Sequence, residues 1–281
     1  MNKITQAEFD TRRDVVAPLT FITPQAEKPV IHSQALTGSA TKFFFELEDH
    51  DIRVADLRPH ADRFSLDREG FALRSVPTRV DDLYDDAAVE SDYYNEIKDL
   101  LKSELGAGEV AIFDATRRSD GGTGAANKDG NRGPAGRIHV DYTAKSGPQR
   151  ARDVFGAEEY DRFIAAGARI VQVNVWRPIS GPVQRSPLAL ADASTVAEAD
   201  LIATDQVFPD RVGEIYHLEQ NPAQKWYYAP EMARDEVLLI KGWDSYESVA
   251  QFTPHTAFRL PDEDGKPARE SIEVRTFVVI E

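Results

Sequence analysis

The chain has 281 residues, of which 41% are hydrophobic and 29% charged, so it can bury a sizeable core beneath a polar surface. Its formal net charge of −15 argues against nucleic acid or an anionic membrane surface as a partner. Cysteine is absent, which excludes disulfides, a thiolate nucleophile and a zinc–thiolate site, so a metal would need histidine and carboxylate ligands. The sequence shows neither a signal peptide nor an apolar run long enough to cross a bilayer, and we predict a cytoplasmic protein.

The first half of the chain predicts short strands, one helix and one long loop. The predicted strands are Val15–Ile22, Thr41–Leu47 (expected to be buried), Gly70–Val80 and Val110–Ala115. From Ser91, taken as the N-cap, apolar residues recur at helical spacing as far as Leu105, and Gly106 ends the helix. Residues 119–136 are rich in Gly, Asn and Asp and have no periodicity, which predicts a lid or substrate clamp. A phosphate-binding loop is excluded there, because the Gly-Lys-Ser/Thr ending is missing.

The second half predicts further strands that alternate between apolar and polar faces. Over Arg169–Trp176 one face carries three valines, and the other carries Gln172, Asn174 and Trp176, as expected between a core and a polar cavity. The remaining predicted elements are a helix over Glu158–Ala166, a polar connection over Leu188–Ala199, a hairpin of Ile215–Leu218 with Lys225–Tyr228, and strands over Glu236–Trp243 and Ser271–Ile280. Many short strands and few helices favour a mainly β barrel or sandwich with helical cover.

A His-x-Asp pair, His139 and Asp141, follows the long loop. Side chains two apart on a strand share a face, so the imidazole and the carboxylate can converge on one point. With the distant His255 they would form a set of two histidines and one carboxylate, which holds Fe(II) and leaves positions open for chemistry. The alternative is that His139 and Asp141 merely hydrogen-bond to each other.

An Arg-x-Ser pair, Arg269 and Ser271, follows His255 and begins the last predicted strand. A guanidinium fork beside a hydroxyl is a suitable receptor for a carboxylate, because the fork donates two parallel charge-assisted hydrogen bonds. Arg275 shares the same face, and the opposite face is apolar apart from one threonine. The charged face therefore lines a polar cavity or faces solvent, and the nearby His255 favours the cavity.

Taken together, these motifs resemble the Fe(II)/2-oxoglutarate-dependent oxygenases, and within them the cephalosporin 7α-methoxylase and gibberellin-type or fungal hydroxylase/desaturase subfamily. The segments that carry the resemblance are 137–143, 173–178, 253–258 and 269–275. It implies a double-stranded β-helix (jelly-roll, cupin-like) barrel in one domain of residues 1–281, with strands and a helix of residues 1–107 packing on a jelly-roll core of residues 108–281.

The resemblance also implies roles for individual residues. His139, Asp141 and His255 would hold Fe(II), and Arg269 and Ser271 would hold the remote carboxylate of 2-oxoglutarate. Asn174 and Arg177 would add contacts to cosubstrate or substrate, although strand parity sets Arg177 opposite Asn174. With O2 as the second cosubstrate, the expected reaction is hydroxylation, desaturation or cyclisation of a small, carboxylate-bearing metabolite, in secondary metabolism.

Several alternatives stay open from the residues alone. Arg269 and Ser271 could instead bind the substrate's own carboxylate. A metal-dependent isomerase or lyase without redox chemistry, or a binding module without catalysis, could use the same barrel. Asp244 is expected to support a metal ligand, and Arg117 and Arg118 to meet an anionic substrate. The sequence identifies neither the substrate nor the oligomeric state.

Overall fold

The structure is a computed structural model that describes residues 13–38, 41–128 and 130–281, without the side chains of residues 34 and 35. Its strands are β1 (Val15–Ile22), β2 (Val30–His32), β3 (Lys42–Phe44), β4 (Leu47–Asp56), β5 (Phe71–Ser75), β6 (Glu109–Ser119), β7 (Ala125–Asn127), β8 (Gly130–Arg132), β9 (His139–Val140), β10 (Arg169–Pro178), β11 (Leu188–Ala191), β12 (Leu201–Val207), β13 (Val212–Leu218), β14 (Trp226–Tyr228), β15 (Glu236–Asp244), β16 (His255–Ala257) and β17 (Glu270–Ile280). The helices are α1 (Gln34–Thr37), α2 (Asp86–Ala88), α3 (Tyr94–Leu105), α4 (Ser146–Phe155) and α5 (Ala157–Ala165). In these described ranges no helix is both long enough and apolar enough to cross a membrane.

Two sheets form the body of the fold. The larger runs β1-β4-β14-β11-β16-β9-β13-β12-β2-β3, and the smaller runs β5-β15-β10-β17-β6. A buried cluster that includes Phe71, Trp176, Leu190 and Ile240 draws side chains from both sheets and fills the space between them. The mainly β fold with helical cover is thereby confirmed.

The helix α3 covers the outer face of the smaller sheet. Its Ile97 and Leu101 are buried in one cluster with the alternating valines of β10 and the apolar face of β17. Burying an aliphatic side chain of this size stabilises the fold by about 1.5–3 kcal/mol. The three valines of β10 therefore face α3, and Asn174 and Trp176 face the interior between the sheets.

The strands of the first hundred residues belong to these two sheets. β1 and β4 extend one side of the larger sheet, and β5 pairs with β15 at an edge of the smaller one. They are hydrogen-bonded members of the sheets and do not form a separate layer. The division at residue 107 stays a prediction.

Several local predictions differ from the structure. The segment Thr41–Leu47 contains an edge strand, not a buried one, because within the described ranges β3 pairs only with β2 and Phe44 is 53% exposed. The helical stretch begins earlier than Ser91: Asp85 caps α2 by accepting from the amides of Ala87 and Ala88, and a π-helical turn leads into α3. Gly106 ends α3 as predicted, in a left-handed conformation with φ 65°.

Other differences come from pairings that join distant parts of the chain. The predicted polar connection over Leu188–Ala199 begins with the fully buried strand β11. The predicted hairpin is absent, because β13 pairs with β12 and β9, and β14 pairs with β11 and β4. The long loop contains a small hairpin, β7 with β8, and the helix α4 was not predicted.

Candidate metal centre

The two histidines of the predicted metal site lie side by side on neighbouring strands. β9 and β16 are antiparallel, with His139 directly opposite His255, so these strands are adjacent members of one sheet. The ring centroids are 4.5 Å apart and the planes are inclined by 49°. Sheet pairing thus brings together two imidazoles from distant parts of the chain.

Backbone carbonyls fix the orientation of both rings. His139 Nδ1 lies 2.9 Å from the Arg137 carbonyl oxygen, and His255 Nδ1 lies 3.0 Å from that of Thr253. A carbonyl oxygen only accepts, so each Nδ1 carries a proton, and Nε2 is the nitrogen that a neutral ring can offer to a metal. Burial lowers the pKa of His139 to about 3, so this ring is neutral at pH 7. Hydrogen bonds from Nδ1 to backbone carbonyl oxygens typically orient metal-binding histidines.

Asp141 completes the predicted set and is held by two neighbours. Its Oδ2 accepts a hydrogen bond of 2.6 Å from Asn174 Nδ2, and its Oδ1 accepts one of 3.4 Å from Arg275 Nη2. Burial acts to raise the pKa of Asp141, but the charge of Arg275, the neighbouring His139 and His255 and the hydrogen bond from Asn174 together hold that pKa below its usual range. The carboxylate is therefore ionised, as a metal ligand must be.

Two of the three predicted ligands lie close enough to bind the same divalent transition ion. His139 Nε2 and Asp141 Oδ1 are 3.8 Å apart. Two ligands at about 2.1 Å from one ion can be separated by at most about 4.2 Å, so both can reach the same metal. Across the described residues no three His, Asp or Glu side chains already stand in ready-made coordination geometry, and Asp141 is bound to Asn174 and Arg275. The assignment of the three ligands stays a prediction.

A small cavity adjoins both imidazoles and extends along the inner face of β17. Its walls carry three guanidinium groups, one carboxylate, two imidazoles and four largely apolar side chains: Arg118, Ala135, His139, Trp176, Leu188, His255, Ala257, Arg269, Glu273 and Arg275. The inner face of β17 therefore lines a cavity. This agrees with the prediction, favoured by the nearby His255, that the charged face of this strand lines a polar cavity and does not face solvent.

Arg269 is the cavity residue with unused hydrogen-bond donors. It is 2% exposed, and its Nη1 donates to the Ser186 carbonyl oxygen at 2.9 Å. Its Nε and Nη2 are buried without a partner among the described residues. Burial lowers the pKa of Arg269 to about 10, so the group is still charged at pH 7. A buried charged fork with two free donors is suited to a carboxylate ligand.

The other predicted binding residues lie in different places. Ser271 is buried, and its Oγ is 3.5 Å from the Arg118 carbonyl oxygen. Asn174 contacts Asp141, so its place is behind the predicted metal ligand. Arg177 points away from the cavity, because it lies on the α3 side of β10 and donates to the Tyr93 hydroxyl at 2.9 Å. The structure does not bring Arg177 to the site.

The expectations for Asp244 and Arg117 also differ from what the structure shows. Asp244 accepts from Lys241 Nζ at 2.6 Å and from Arg169, in a buried ion cluster with no contact to the histidines. Arg117 pairs with Asp86 near α2 and does not line the cavity. Arg118, the other arginine expected to meet an anion, does line the cavity.

The sequence did not single out Arg275 or Glu273 as site residues. Arg275 Nε donates to Glu273 at 3.1 Å while its Nη2 reaches Asp141. Both share the parity of Arg269 and Ser271, so the alternation of β17 was the signal that could have identified them.

The chain is similar to known proteins both in sequence and in structure. Residues 19–279 match the family described as an oxidoreductase/YMDC permease-like domain. The hydroxylase/desaturase efuI of Hormonema carpetanum is 32% identical over 249 residues, which cover 81% of this chain and 82% of that protein. The Fe(II)/2-oxoglutarate-dependent dioxygenase nvfI of Aspergillus novofumigatus is 31% identical over 248 residues, covering 85% of this chain and 86% of that one. A solved structure of the iron and alpha-ketoglutarate-dependent endoperoxidase NvfI superposes with a TM-score of 0.83 at 28% identity, covering 95% of this chain and 98% of that one.

Fold and relatives define an oxygenase of the non-haem iron class, built on a double-stranded β-helix. The chain belongs to the Fe(II)/2-oxoglutarate-dependent dioxygenases, the enzymes that use Fe(II), 2-oxoglutarate and O2. The resemblance to this superfamily and to its hydroxylase/desaturases is confirmed. The narrower cephalosporin 7α-methoxylase label has no such support and stays a prediction.

Proposed function

We propose that this chain hydroxylates or desaturates a small, carboxylate-bearing metabolite, with Fe(II) held by His139, Asp141 and His255. Cyclisation of the substrate is a third outcome of the same chemistry. The observation that carries the proposal is the shared cavity, in which two carbonyl-oriented imidazoles lie near a buried guanidinium with two free donors. The names of the relatives do not favour a non-redox isomerase or lyase.

The side chains of the site have separate tasks in this proposal. Bound Fe(II), with 2-oxoglutarate and O2, supplies the oxidising power that breaks an unreactive C–H bond. Asn174 and Arg275 orient the carboxylate of Asp141, and Arg269 with Ser271 seats the remote carboxylate of 2-oxoglutarate. Trp176, Leu188 and Ala257 give the cavity apolar walls, which exclude water from the reacting centre. The proposed enzyme is cytoplasmic, and its partner is a small molecule, with no nucleic acid or membrane surface involved.

Anaerobic addition of Fe(II) and then 2-oxoglutarate tests the proposal. A weak visible absorption band should develop as the keto acid chelates the metal. His139→Ala should abolish both iron binding and the band, whereas His50→Ala, at a partly exposed site on β4, should leave both unchanged. Iron binding that survives His139→Ala would refute the ligand assignment. Intact iron binding without any band would refute the 2-oxoglutarate site.

Succinate release identifies the substrate class. We expect small carboxylated metabolites to stimulate succinate formation above the rate without substrate. The product then distinguishes hydroxylation, which adds one oxygen atom, from desaturation, which removes two hydrogen atoms. Mass spectrometry of the product separates these outcomes.

A further inference from the structure

A second arginine lies beside Arg269 at the same end of the cavity. Arg118 on β6 is the register partner of Ser271 on β17, so the two side chains share one face of the sheet. Arg269 precedes Ser271 by two residues, and its backbone N–H donates at 2.7 Å to Oδ1 of Asp120, the residue that follows β6. Arg118 and Arg269 both line the cavity, with Ser271 between them in the sheet.

Among the described residues neither guanidinium forms a direct ion pair, although Glu273, which lines the same cavity, attracts both charges from a distance. The hydrogen bond of Arg118 goes from Nη1 to the Gly133 carbonyl oxygen at 2.9 Å, and Arg269 donates to the Ser186 carbonyl oxygen. The third arginine of the cavity differs, because Arg275 is already paired with Glu273 and Asp141. Two like charges in a shielded cavity repel each other, and an anion bound between them removes that repulsion.

The positions of Arg118 and Arg269 indicate which end of a ligand they contact. Arg275 marks the metal end through Asp141, and Ser271 lies four residues earlier on the same strand. At about 3.3 Å per residue, the two ends of the cavity wall are roughly 13 Å apart along β17. Arg118 and Arg269 therefore face the part of a ligand that lies furthest from the histidines.

We propose that Arg118 is a second binding residue for the remote carboxylate of 2-oxoglutarate, which it shares with Arg269 and Ser271. The inference rests on the proposed function, because it assumes that Fe(II) is bound at the histidines. It also assumes that 2-oxoglutarate lies between the metal and the two arginines. Arg118 also joins the 119–136 segment to the site through Gly133, so a bound carboxylate would connect that segment to the cavity.

Equilibrium binding measured by calorimetry with Mn(II) in place of Fe(II) tests Arg118 without requiring turnover. The ligands are 2-oxoglutarate and 2-oxopentanoate, which has the same carbon chain but no remote carboxylate. Arg118→Gln should weaken 2-oxoglutarate binding by about 10- to 100-fold, as expected for loss of a hydrogen bond between charged groups, and leave 2-oxopentanoate binding within about twofold. Arg118→Lys keeps the charge without the fork and should recover part of the affinity. Arg79→Gln, whose side chain is 88% exposed, is the matched control and should change neither affinity.

The outcomes separate this inference from the proposed function. If Arg269→Gln weakens 2-oxoglutarate binding but Arg118→Gln does not, the role of Arg118 is refuted and the 2-oxoglutarate site at Arg269 stands. If neither variant changes the affinity, the proposed carboxylate site itself is refuted. If Arg118→Gln weakens the binding of both keto acids equally, the cavity is generally disturbed and the inference is overturned. A loss of affinity confined to the primary substrate would also overturn it.

Discussion

Asn174→Ala should weaken metal binding although Asn174 is not a predicted ligand. Asn174 is 1% exposed, and its Nδ2 donates to Asp141 Oδ2 at 2.6 Å. Its Oδ1 accepts from Gln172 Nε2 at 2.7 Å, which fixes the amide orientation. The variant removes one hydrogen bond to a charged carboxylate, worth about 1.5–3 kcal/mol, and frees Asp141 to rotate. We expect the dissociation constant for Fe(II) or Mn(II) to rise about 10- to 100-fold, the range found when residues that orient metal ligands are replaced.

The assay is a metal titration followed by calorimetry, with thermal unfolding of the apoprotein as a check that the variant folds. Asn131→Ala, in the exposed hairpin of β7 and β8, is the matched control and should bind metal like the wild type. A folded Asn174→Ala protein with unchanged metal affinity would refute the reasoning. It would show that Asn174 does not restrain Asp141 in the bound state, or that Asp141 is not a ligand.

Three further predictions concern stability, pH and the support of Arg269. Asp244→Asn should lower the free energy of unfolding by about 3 kcal/mol, measured by urea denaturation, because it leaves Lys241, which is 0% exposed, without its buried partner. Burial lowers the pKa of His217 to about 4, so the unfolded chain takes up a proton first as pH falls below about 6.5. The stability that depends on neutral His217 is thus complete above pH 6.5 and is lost as pH falls to 4, and His217→Gln should remove about 3 kcal/mol of that pH dependence. Ser186 has φ 45° and aims its carbonyl at Arg269, so Ser186→Val should be destabilising by about 1–3 kcal/mol and should weaken 2-oxoglutarate binding. Ser186→Gly loses the hydrogen bond from Oγ to Asp120 but not the backbone conformation, so it should keep 2-oxoglutarate binding.

Matched variants make these three results decisive. Asp264→Asn, at an exposed carboxylate, should leave urea stability unchanged; a similar small effect from Asp244→Asn would contradict the cost assigned to the buried charge. The pH argument fails if wild type and His217→Gln lose stability in parallel between pH 6.5 and 4. For Ser186, equal 2-oxoglutarate affinity in the valine variant would show that its carbonyl does not position Arg269.

Short-range pattern in the sequence determined the chemical groups of the site and the faces on which they lie. Strand alternation put Asn174 and Trp176 opposite the buried valines. It also predicted His139 and Asp141 on one side of a strand, whereas β9 ends at Val140 and Asp141 directly follows it. The apolar face of β17 likewise predicted a charged inner face. These features depend on the two-residue repeat of a strand, which is fixed by local backbone geometry whatever the partner strand is.

Long-range pairing decided which of those groups meet, and only the tertiary structure shows it. His255 became the neighbour of His139 through one register between β9 and β16, and Arg275 reaches Asp141 across a separation of 134 residues. Other strand pairings replaced the predicted hairpin, and the pairing of β15 with β10 brought Asp244 to Arg169. Strand register between distant segments is set by the summed packing of both sheets, and no single segment carries enough of that energy to specify it.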